Sequence, residues 1–254
     1  MLKLETLSKN FGGLPALSDV SFTVPQGLVT ALIGPNGAGK STLINCTTGV
    51  LQPSSGTALF QQQLLTGLPA YQIAQLGISR TFQNLKLFPR LTVLENVLTG
   101  LTCEGGRSML MAMLRLPYLR HRERQLKLRA LEALDRFGLS DKADWPAGVL
   151  AYGDKKRVEL ARATVSKPDL LLLDEPVAGL NAEETADVGE QLKLLRSAGH
   201  TMLLVEHDME LVMEIADQVV VLDSGKCIAT GTPDEVRRNP LVLEAYLGRM
   251  EATA

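Results

Sequence analysis

One glycine-rich segment has the spacing of a phosphate-binding loop. Residues 34–42 read GPNGAGKST, which matches G-x-x-x-x-G-K-[ST], and they lie between the apolar run 29–33 and a helical pattern. The glycines let successive backbone N–H groups face a phosphate, Lys40 supplies a cation, and the Ser41 hydroxyl can bind Mg²⁺. The alternative is a glycine-rich turn that carries a lysine by chance, and the flanking strand and helix argue against it. The predicted nucleotide-binding residues are Asn36, Gly37, Ala38, Gly39, Lys40, Ser41 and Thr42.

A pair of carboxylates follows a second apolar run. Residues 170–173 are all leucine, and Asp174 and Glu175 come directly after them. In open α/β sheets, ligands bind at the carboxyl ends of the strands, which is where this pair would lie. An apolar run that ends in Asp-Glu is by itself a common strand end. Together with the glycine-rich loop, it predicts a hydrolytic site in which Asp174 holds Mg²⁺ and Glu175 polarises the attacking water.

The elements that must position these residues alternate between strand and helix patterns. The first 60 residues read as short strands and turns, and residues from about 91 to 166 have mostly helical spacing. The strand-length runs 170–173 and 201–205 flank a helical pattern over 182–197, which indicates a βαβ unit with a parallel sheet. From about residue 225 to 254, a strand and one proline-flanked helix are predicted. The chain is therefore predicted to be one α/β domain with a helical subdomain inserted at about 91–166.

The composition is that of a folded globular protein without a strong charge. Of the 254 residues, 45% are hydrophobic and 21% are charged, and the formal net charge is -2. This balance, with only six Phe, four Tyr and one Trp, argues against nucleic acid as a partner. The three cysteines form no CxxC pair, which favours a reducing compartment. We find no signal peptide and no apolar run long enough to span a membrane, so we predict a cytosolic chain.

Five further segments, in order along the chain, resemble the motifs of the ATP-binding subunits of ABC transporters. In that family an aromatic residue stacks on adenine, and a Q-loop, an LSGGQ signature, a D-loop and a switch histidine follow. Singly, these residues have ordinary explanations, such as a core aromatic, a surface amide or a histidine at a strand end. Their shared order and spacing favour the family, and the resemblance covers essentially the whole chain. The matching positions are Phe11, Arg80 to Gln83, Leu150 to Asp154, Ala178 to Asn181, and His207.

The resemblance implies a P-loop NTPase core of the ABC type, with a mixed sheet and an antiparallel β subdomain. Two subunits would enclose two ATP molecules, so that the P-loop of one faces the signature of the other. The implied catalytic residues are Glu175, His207 and Gln83, and the implied Mg²⁺ ligands are Ser41, Gln83 and Asp174. Besides the P-loop and Phe11, the implied ATP contacts are Ala151, Tyr152, Gly153, Asp154 and Asn181. The signature departs from LSGGQ at Ala151 and Asp154, and Lys155, Lys156 and Arg157 are expected to offset the charge of Asp154.

Within the family, the chain resembles the uptake ATPases for branched-chain or hydrophobic amino acids. The more specific features are Tyr152 and the ending with Asn239-Pro240 and residues 244–248, EAYLG. This resemblance implies two transmembrane permease subunits, a second identical or homologous ATPase subunit, and indirectly a substrate-binding protein. It also implies a peripheral location at the cytoplasmic face of the inner membrane. The ATPases of urea or short-amide importers are closely related and remain an alternative.

Functions of other classes fit the sequence less well. A P-loop kinase or GTPase would not need the later motifs, and a soluble ABC ATPase of DNA repair or translation usually has a second cassette, a long coiled coil or zinc cysteines. The segment 115–129 holds six arginines or lysines against one glutamate. A solvated helix face is the ordinary explanation for such a segment, and attraction to anionic lipid is the functional one.

Overall fold

The computed structural model describes residues 1–83, 85–101 and 117–247, with side chains of 117–120 and 247 left aside. The chain divides into two compact units. The core unit comprises Met1–Ile78, Asp169–Glu175 and the chain from Gly189 onward, and the helical unit comprises Ser79–Pro168 and Pro176–Val188. The sequence placed the helical subdomain at about 91–166, whereas this unit begins at Ser79 and includes a second segment. Residues 115 and 116 of the basic segment, and Gly248, lie outside the described residues.

The core unit contains an antiparallel sheet. Its strand order is β2-β1-β4-β5. The apolar residues Leu2, Leu4 and Leu7 of β1 are buried, and neighbouring positions are more exposed, as expected for a sheet with one covered face. The strands are β1 (Leu2–Phe11), β2 (Leu14–Val24), β4 (Ser55–Phe60) and β5 (Gln63–Leu64).

A second sheet is mixed and has the order β10-β9-β3-β8-β7-β6. Strand β3 pairs in parallel with β8 and β9, β8 pairs in parallel with β7, and β10 runs antiparallel to β9. Every residue of β3, β7 and β8 is buried, which explains why these strands read as continuous apolar runs. The α/β fold with a mixed and an antiparallel sheet is thus confirmed. The strands are β3 (Val29–Ile33), β6 (Ile78–Arg80), β7 (Leu170–Asp174), β8 (Thr201–Val205), β9 (Gln218–Asp223) and β10 (Lys226–Gly231).

Helices complete both units. In the core unit they are α1 (Lys40–Thr47), α2 (Ala70–Gln75), α7 (Met209–Ile215), α8 (Pro233–Arg237) and α9 (Pro240–Leu247). The helical unit has α3 (Val93–Leu98), α4 (Pro117–Arg136) and α5 (Tyr152–Thr164), and α6 (Ala182–Ser197) runs through residues of both units. The single helix predicted for the tail is wrong, because Pro240 begins a new helix after Arg238 and Asn239 interrupt the first. No helix in the described ranges is long and apolar enough to cross a membrane.

Two sets of polar interactions, a capping box and the hydrogen bonds of a buried asparagine, fix the start of α3 in the helical unit. Helix α3 begins with a capping box, in which Thr92 and Glu95 each accept a hydrogen bond from the other's backbone N–H. Asn96 is fully buried, and its side-chain amide donates to the carbonyls of Phe88 and Thr92 over 3.0 and 2.9 Å. Its own carbonyl oxygen accepts from the Phe88 N–H over 2.8 Å. The chain that follows Lys86 is therefore fixed to the start of α3.

The turn between β9 and β10 packs tightly on β2. Gly225 has a φ of +77°, and a Cβ placed there would lie 2.7 Å from the Ala16 carbonyl oxygen and 3.2 Å from Leu17 Cα. Its N–H donates to the Ala38 carbonyl over 3.1 Å, and its carbonyl accepts from the Ser18 N–H over 2.8 Å. Gly225 therefore connects β2 to the segment that carries the phosphate-binding loop.

We expect Gly225→Ala to destabilise the protein more than the matched change Gly199→Ala. Gly199 has a similar φ of +81°, but a Cβ added there would have no heavy atom within 4 Å. The Gly199 variant should therefore lose only the free energy that a side chain costs in the left-handed conformation, about 1–2 kcal/mol. The Gly225 variant adds a backbone clash worth about 1–3 kcal/mol. The midpoints of thermal unfolding measure the difference. Equal midpoints for the two variants would contradict the close packing of this turn.

Candidate functional site

The site is built on the aligned ends of parallel strands in the core unit. Asp174 of β7 lies opposite Val205 of β8, and Val205 lies opposite Leu32 of β3. The residues that follow these three positions therefore leave the sheet at the same edge. They include Glu175 and the start of the loop at Gly34. Because ligands bind at the carboxyl ends of strands in such sheets, this edge is the candidate active site.

The glycine-rich loop is shaped to receive a phosphate. A Cβ at Gly34, where φ is +150°, would lie 2.0 Å from the Leu222 carbonyl oxygen, so only glycine allows β3 to turn this close to β9. Gly39 is the N-cap of α1, with a φ of +101° and no side-chain cap. The first turn of α1 also contains no acidic residue. An N-terminus of this kind presents its N–H groups and its partial positive charge to an anion.

Lys40 lies within this loop and is 8% exposed. Its ammonium donates to the carbonyl oxygens of Gly34 and Pro35 over 2.6 and 3.1 Å. Burial lowers the pKa of Lys40, while the negative charges of Glu175 and Asp174 act in the opposite direction. The predicted cation and the two predicted carboxylates thus lie within electrostatic reach of one another.

The two carboxylates differ in exposure and in backbone conformation. Asp174 is 3% exposed, whereas Glu175 is partly exposed. Glu175 has a φ of +50°, a conformation that is costly for a residue with a side chain, and its N–H donates to the Val205 carbonyl over 2.9 Å. The less buried carboxylate is the one that water can reach. This difference is consistent with the separate roles predicted for the two residues.

The donors predicted for a magnesium ion suit that ion. Ser41 is exposed in the first turn of α1 and offers a hydroxyl, and Asp174 offers a carboxylate. Mg²⁺ prefers such oxygen ligands, and it keeps several waters when bound by few protein groups. The third predicted ligand, Gln83, is exposed and belongs to the helical unit.

His207 follows β8 and is held by a residue that the sequence analysis missed. Glu206 is fully buried, and its carboxylate accepts hydrogen bonds from the N–H groups of His207 and Asp208 over 3.0 and 3.4 Å. The His207 side chain is 62% exposed, with Nδ1 3.7 Å from Glu206 Oε2. Asp208 caps α7 by accepting from the Leu211 N–H over 3.1 Å. The glutamate that directly precedes the histidine in the sequence could have indicated this supporting role.

The signature residues begin helix α5, where they contact the D-loop inside the helical unit. Ala151 is the N-cap of α5 and makes no side-chain cap. The Tyr152 hydroxyl lies 3.4 Å from the Ala178 carbonyl, and a Cβ at Gly153 would lie 2.5 Å from a carboxylate oxygen of Glu184. Glu184 in turn exchanges hydrogen bonds with Asn181, over 2.9 and 3.1 Å. A side chain at position 153 would therefore displace the Glu184 carboxylate from its contacts with Asn181.

Asp154 is compensated inside its own unit. It is 7% exposed, and its carboxylate pairs with Lys142 over 2.5 Å and with Arg157. Burial acts to raise its pKa, but the hydrogen bond from Lys142 and the charge of Arg157 outweigh burial and lower the pKa. Of the three basic residues expected to offset this charge, Arg157 does so, and the second partner is Lys142, which the sequence analysis did not name. The predicted contact of Asp154 with nucleotide stays a prediction.

Phe11 ends β1 and is 46% exposed, with the Lys9 ammonium 5.2 Å from the ring centre. An exposed aromatic face of this kind is available for stacking. Phe11, the loop 36–42, the two carboxylates and His207 thus all belong to the core unit. Gln83, the signature residues 151–154 and Asn181 belong to the helical unit.

Comparison with known proteins places these residues in a family. The profile of the ABC transporter family matches residues 17–178, and that of the branched-chain amino acid ATP-binding cassette transporters matches residues 226–252. The chain is 43% identical, over 98% of both proteins, to the high-affinity branched-chain amino acid transport ATP-binding protein LivG of Salmonella typhimurium.

Solved structures agree with this result. The ADP conformation of MJ1267, an ATP-binding cassette of an ABC transporter, has a TM-score of 0.84 and 35% identity, and the match covers 98% of each chain. The dimeric structure of MJ0796, a bacterial ABC transporter cassette, has a TM-score of 0.78 and 26% identity, covering 92% of this chain and 99% of that one. The chain therefore belongs to the ATP-binding subunits of ABC transporters and is an ATPase, as the order of its motifs predicted.

Proposed function

We propose that this chain is the ATP-hydrolysing subunit of an importer for branched-chain or other hydrophobic amino acids. The observation that carries the proposal is the match of residues 226–252 to the branched-chain cassette profile, together with the identity to LivG over nearly the whole chain. A urea or short-amide importer ATPase remains the alternative. The residues of the site do not separate the two, because transported substrates are bound by other subunits.

In the proposed mechanism, the core unit holds the nucleotide. Lys40 and the N–H groups at the start of α1 bind the β- and γ-phosphates, and Phe11 stacks on adenine. Ser41, Asp174 and Gln83 would hold Mg²⁺, which would supply charge neutralisation on the phosphate oxygens.

Glu175 orients or deprotonates the attacking water, and His207 contacts the γ-phosphate. The buried Glu206 carboxylate supports this role because it fixes the backbone of His207.

The proposed working unit is a pair of ATPase subunits. In each, the start of α5 faces ATP bound by the other subunit, so Ala151 to Asp154 and Asn181 complete the partner's site. The N-terminus of α5 supports this arrangement, since its first turn lacks a side-chain cap and its only acidic residue, Asp154, is neutralised by Lys142 and Arg157. Phosphate can therefore approach without facing an uncompensated carboxylate.

The proposed partners in the membrane are two permease subunits, which hold this chain at the cytoplasmic face of the inner membrane and connect it to a substrate-binding protein. The helical unit supports such a contact with an exposed apolar patch near the Q-loop. Backbone hydrogen bonds from Ala147 to Leu91 and from Gly148 to Pro89, over 2.9 and 3.0 Å, join the chain before α5 to the chain before α3. The patch comprises Phe82, Phe88, Leu91, Trp145 and Val149, which are 36–69% exposed.

Uptake into vesicles tests the proposed function together with Glu175. Vesicles that contain this chain and its two permease subunits, with ATP enclosed on the side of this chain and the substrate-binding protein outside, should accumulate labelled leucine, and labelled urea should not accumulate. With Glu175→Gln, ATP should still bind while hydrolysis falls about 10²–10⁴-fold, because a positioned base is lost. Urea uptake would select the alternative importer, and hydrolysis within a few-fold of the parent would exclude Glu175 as the base.

Lys40 and His207 should differ in what they contribute. Lys40→Ala removes a cation from inside the loop, so we expect a large loss of ATP affinity. His207→Ala removes an exposed side chain that meets only the γ-phosphate, so ATP affinity should be nearly unchanged while the hydrolysis rate falls. Nucleotide binding measured by calorimetry and steady-state hydrolysis separate the two effects. Equal losses of affinity in both variants would contradict this division.

The missing hydroxyl at Ala151 should weaken the ATP-bound dimer. A hydroxyl-to-phosphate hydrogen bond is worth roughly 1.5–3 kcal/mol, which corresponds to about one to two powers of ten in dimer affinity. Adding Ala151→Ser to Glu175→Gln should therefore tighten ATP-dependent dimerisation, as measured by analytical ultracentrifugation. Unchanged or weaker dimerisation would show that residue 151 does not reach the γ-phosphate.

A further inference from the structure

Helix α5 carries a charged pair, one buried and one partly buried residue, that the proposed mechanism does not use. Glu159 is 2% exposed, and one of its carboxylate oxygens lies 3.5 Å from the Arg162 guanidinium one turn later. Replacing such a pair by apolar residues is often neutral or stabilising, because desolvation offsets the attraction between the charges. Stability of the helix alone therefore gives little reason for two charges here.

Both members of the pair bind backbone on either side of Gln83. The Phe82 N–H donates to Glu159 Oε1 over 3.3 Å, and Arg162 Nη1 donates to the Lys86 carbonyl over 2.6 Å. Gln83 lies in the sequence between these two attachment points. No apolar side chain could make either contact, since each requires a hydrogen-bonding partner for the backbone.

The electrostatics of Glu159 agree with this arrangement. Burial raises its pKa, while the Phe82 N–H, the charges of Lys156 and Arg162, and the Lys86 N–H act to lower it. The carboxylate is thus surrounded by donors and cations, two of which belong to the backbone beside Gln83. Burial likewise lowers the pKa of Arg162, and Glu159 opposes that shift.

The same helix begins with the signature residues. Helix α5 runs without interruption over Tyr152–Thr164, and Glu159 lies two turns after Tyr152. A continuous helix of this length transmits displacement along its axis with little deformation. Gly100 adds a close contact to the same helix, since a Cβ there would lie 2.3 Å from the Arg162 carbonyl oxygen.

We propose that Glu159 and Arg162 are positioning residues that fasten the backbone on both sides of Gln83 to helix α5, so that the Q-loop and the signature residues move together. A permease that displaces the Q-loop then displaces the signature by the same attachment. This functional consequence rests on the roles proposed above for Gln83 and the signature, whereas the attachment itself does not.

The attachment is tested by hydrogen exchange in the full chain. In Glu159→Ala, the amide of Phe82 should exchange about tenfold faster or more, because its acceptor is lost. Glu159→Gln keeps an acceptor and should restore most of the protection. Thr164→Val is the matched control, since it removes a buried hydroxyl that bonds only to the Leu160 and Ala161 carbonyls of the same helix. Arg162→Gln gives a second variant should Glu159→Ala fail to fold, and it should loosen the backbone at Lys86.

The consequence is tested by hydrolysis kinetics on the same proteins. We expect kcat to fall about tenfold in Glu159→Ala with the KM for ATP changed less than twofold, because Phe11, Lys40 and the N–H groups of α1, which are proposed to hold ATP within one subunit, lie in the core unit. Glu159→Gln and Thr164→Val should stay within twofold of the parent in kcat. Gln83→Ala is measured in parallel as a check on the role of that residue.

The outcomes separate the two levels of the proposal. Unchanged exchange at Phe82 in Glu159→Ala, or the same change in Thr164→Val, would overturn the attachment. Faster exchange with an unchanged kcat would overturn its role in positioning Gln83. If Gln83→Ala itself leaves kcat unchanged, the role proposed for Gln83 fails, and the exchange result still decides whether the attachment exists.

Discussion

The position of β3 between two parallel partners is the constraint on which the site depends. Its pairing with β8 and β9 buries every residue of the strand and brings Gly34 against the Leu222 carbonyl, where no side chain fits. The loop must then turn at once and begin α1. Since β7 is in register with β8, the same pairing places Asp174 and Glu175 at the loop's edge of the sheet. Backbone hydrogen bonds of the sheet thus place the candidate phosphate-binding loop beside the two carboxylates proposed for hydrolysis.

Two buried glutamates of this protein act in the same way, because each accepts hydrogen bonds from backbone N–H groups and so holds a loop in place. Glu206 holds the turn that carries His207, and Glu159 holds the N–H of Phe82. Asp154, the last residue of the signature, differs because it pairs with two side chains, those of Lys142 and Arg157. A carboxylate that accepts from backbone N–H groups is partly compensated without a counter-charge, which makes its burial tolerable. The loops that carry the proposed site residues His207 and Gln83 are thus held by glutamates that are not themselves predicted site residues.

The sequence was sufficient for the elements whose pattern is local. The runs at 29–33, 170–173 and 201–205 are strands and 182–197 is a helix, because continuous apolar runs and helical spacing are direct signs of these environments. It was insufficient wherever a side chain meets a distant partner: Phe82 and Glu159 are 77 positions apart, and no periodicity relates them. Lys142 was missed as a partner of Asp154 for the same reason, since it lies 12 positions before Asp154, whereas Arg157 lies on the same helix. The proline at position 240 already indicated a break in the helix of the tail, and the prediction of a single helix did not take it into account.

The two hydrogen bonds of Lys40 to its own loop have a consequence for selectivity. The Lys40 ammonium already has two acceptors in its own loop, the Gly34 and Pro35 carbonyls. A ligand that binds Lys40 must replace these two neutral carbonyls. Its gain in binding free energy is therefore only the difference in strength between the new hydrogen bonds and the old ones. A multiply charged phosphate chain offers that difference, because charged acceptors form stronger hydrogen bonds than neutral ones, and an uncharged nucleoside does not. In the proposed role of this loop, Lys40 therefore favours polyphosphates over uncharged nucleosides and does not distinguish the bases and sugars attached to the phosphates.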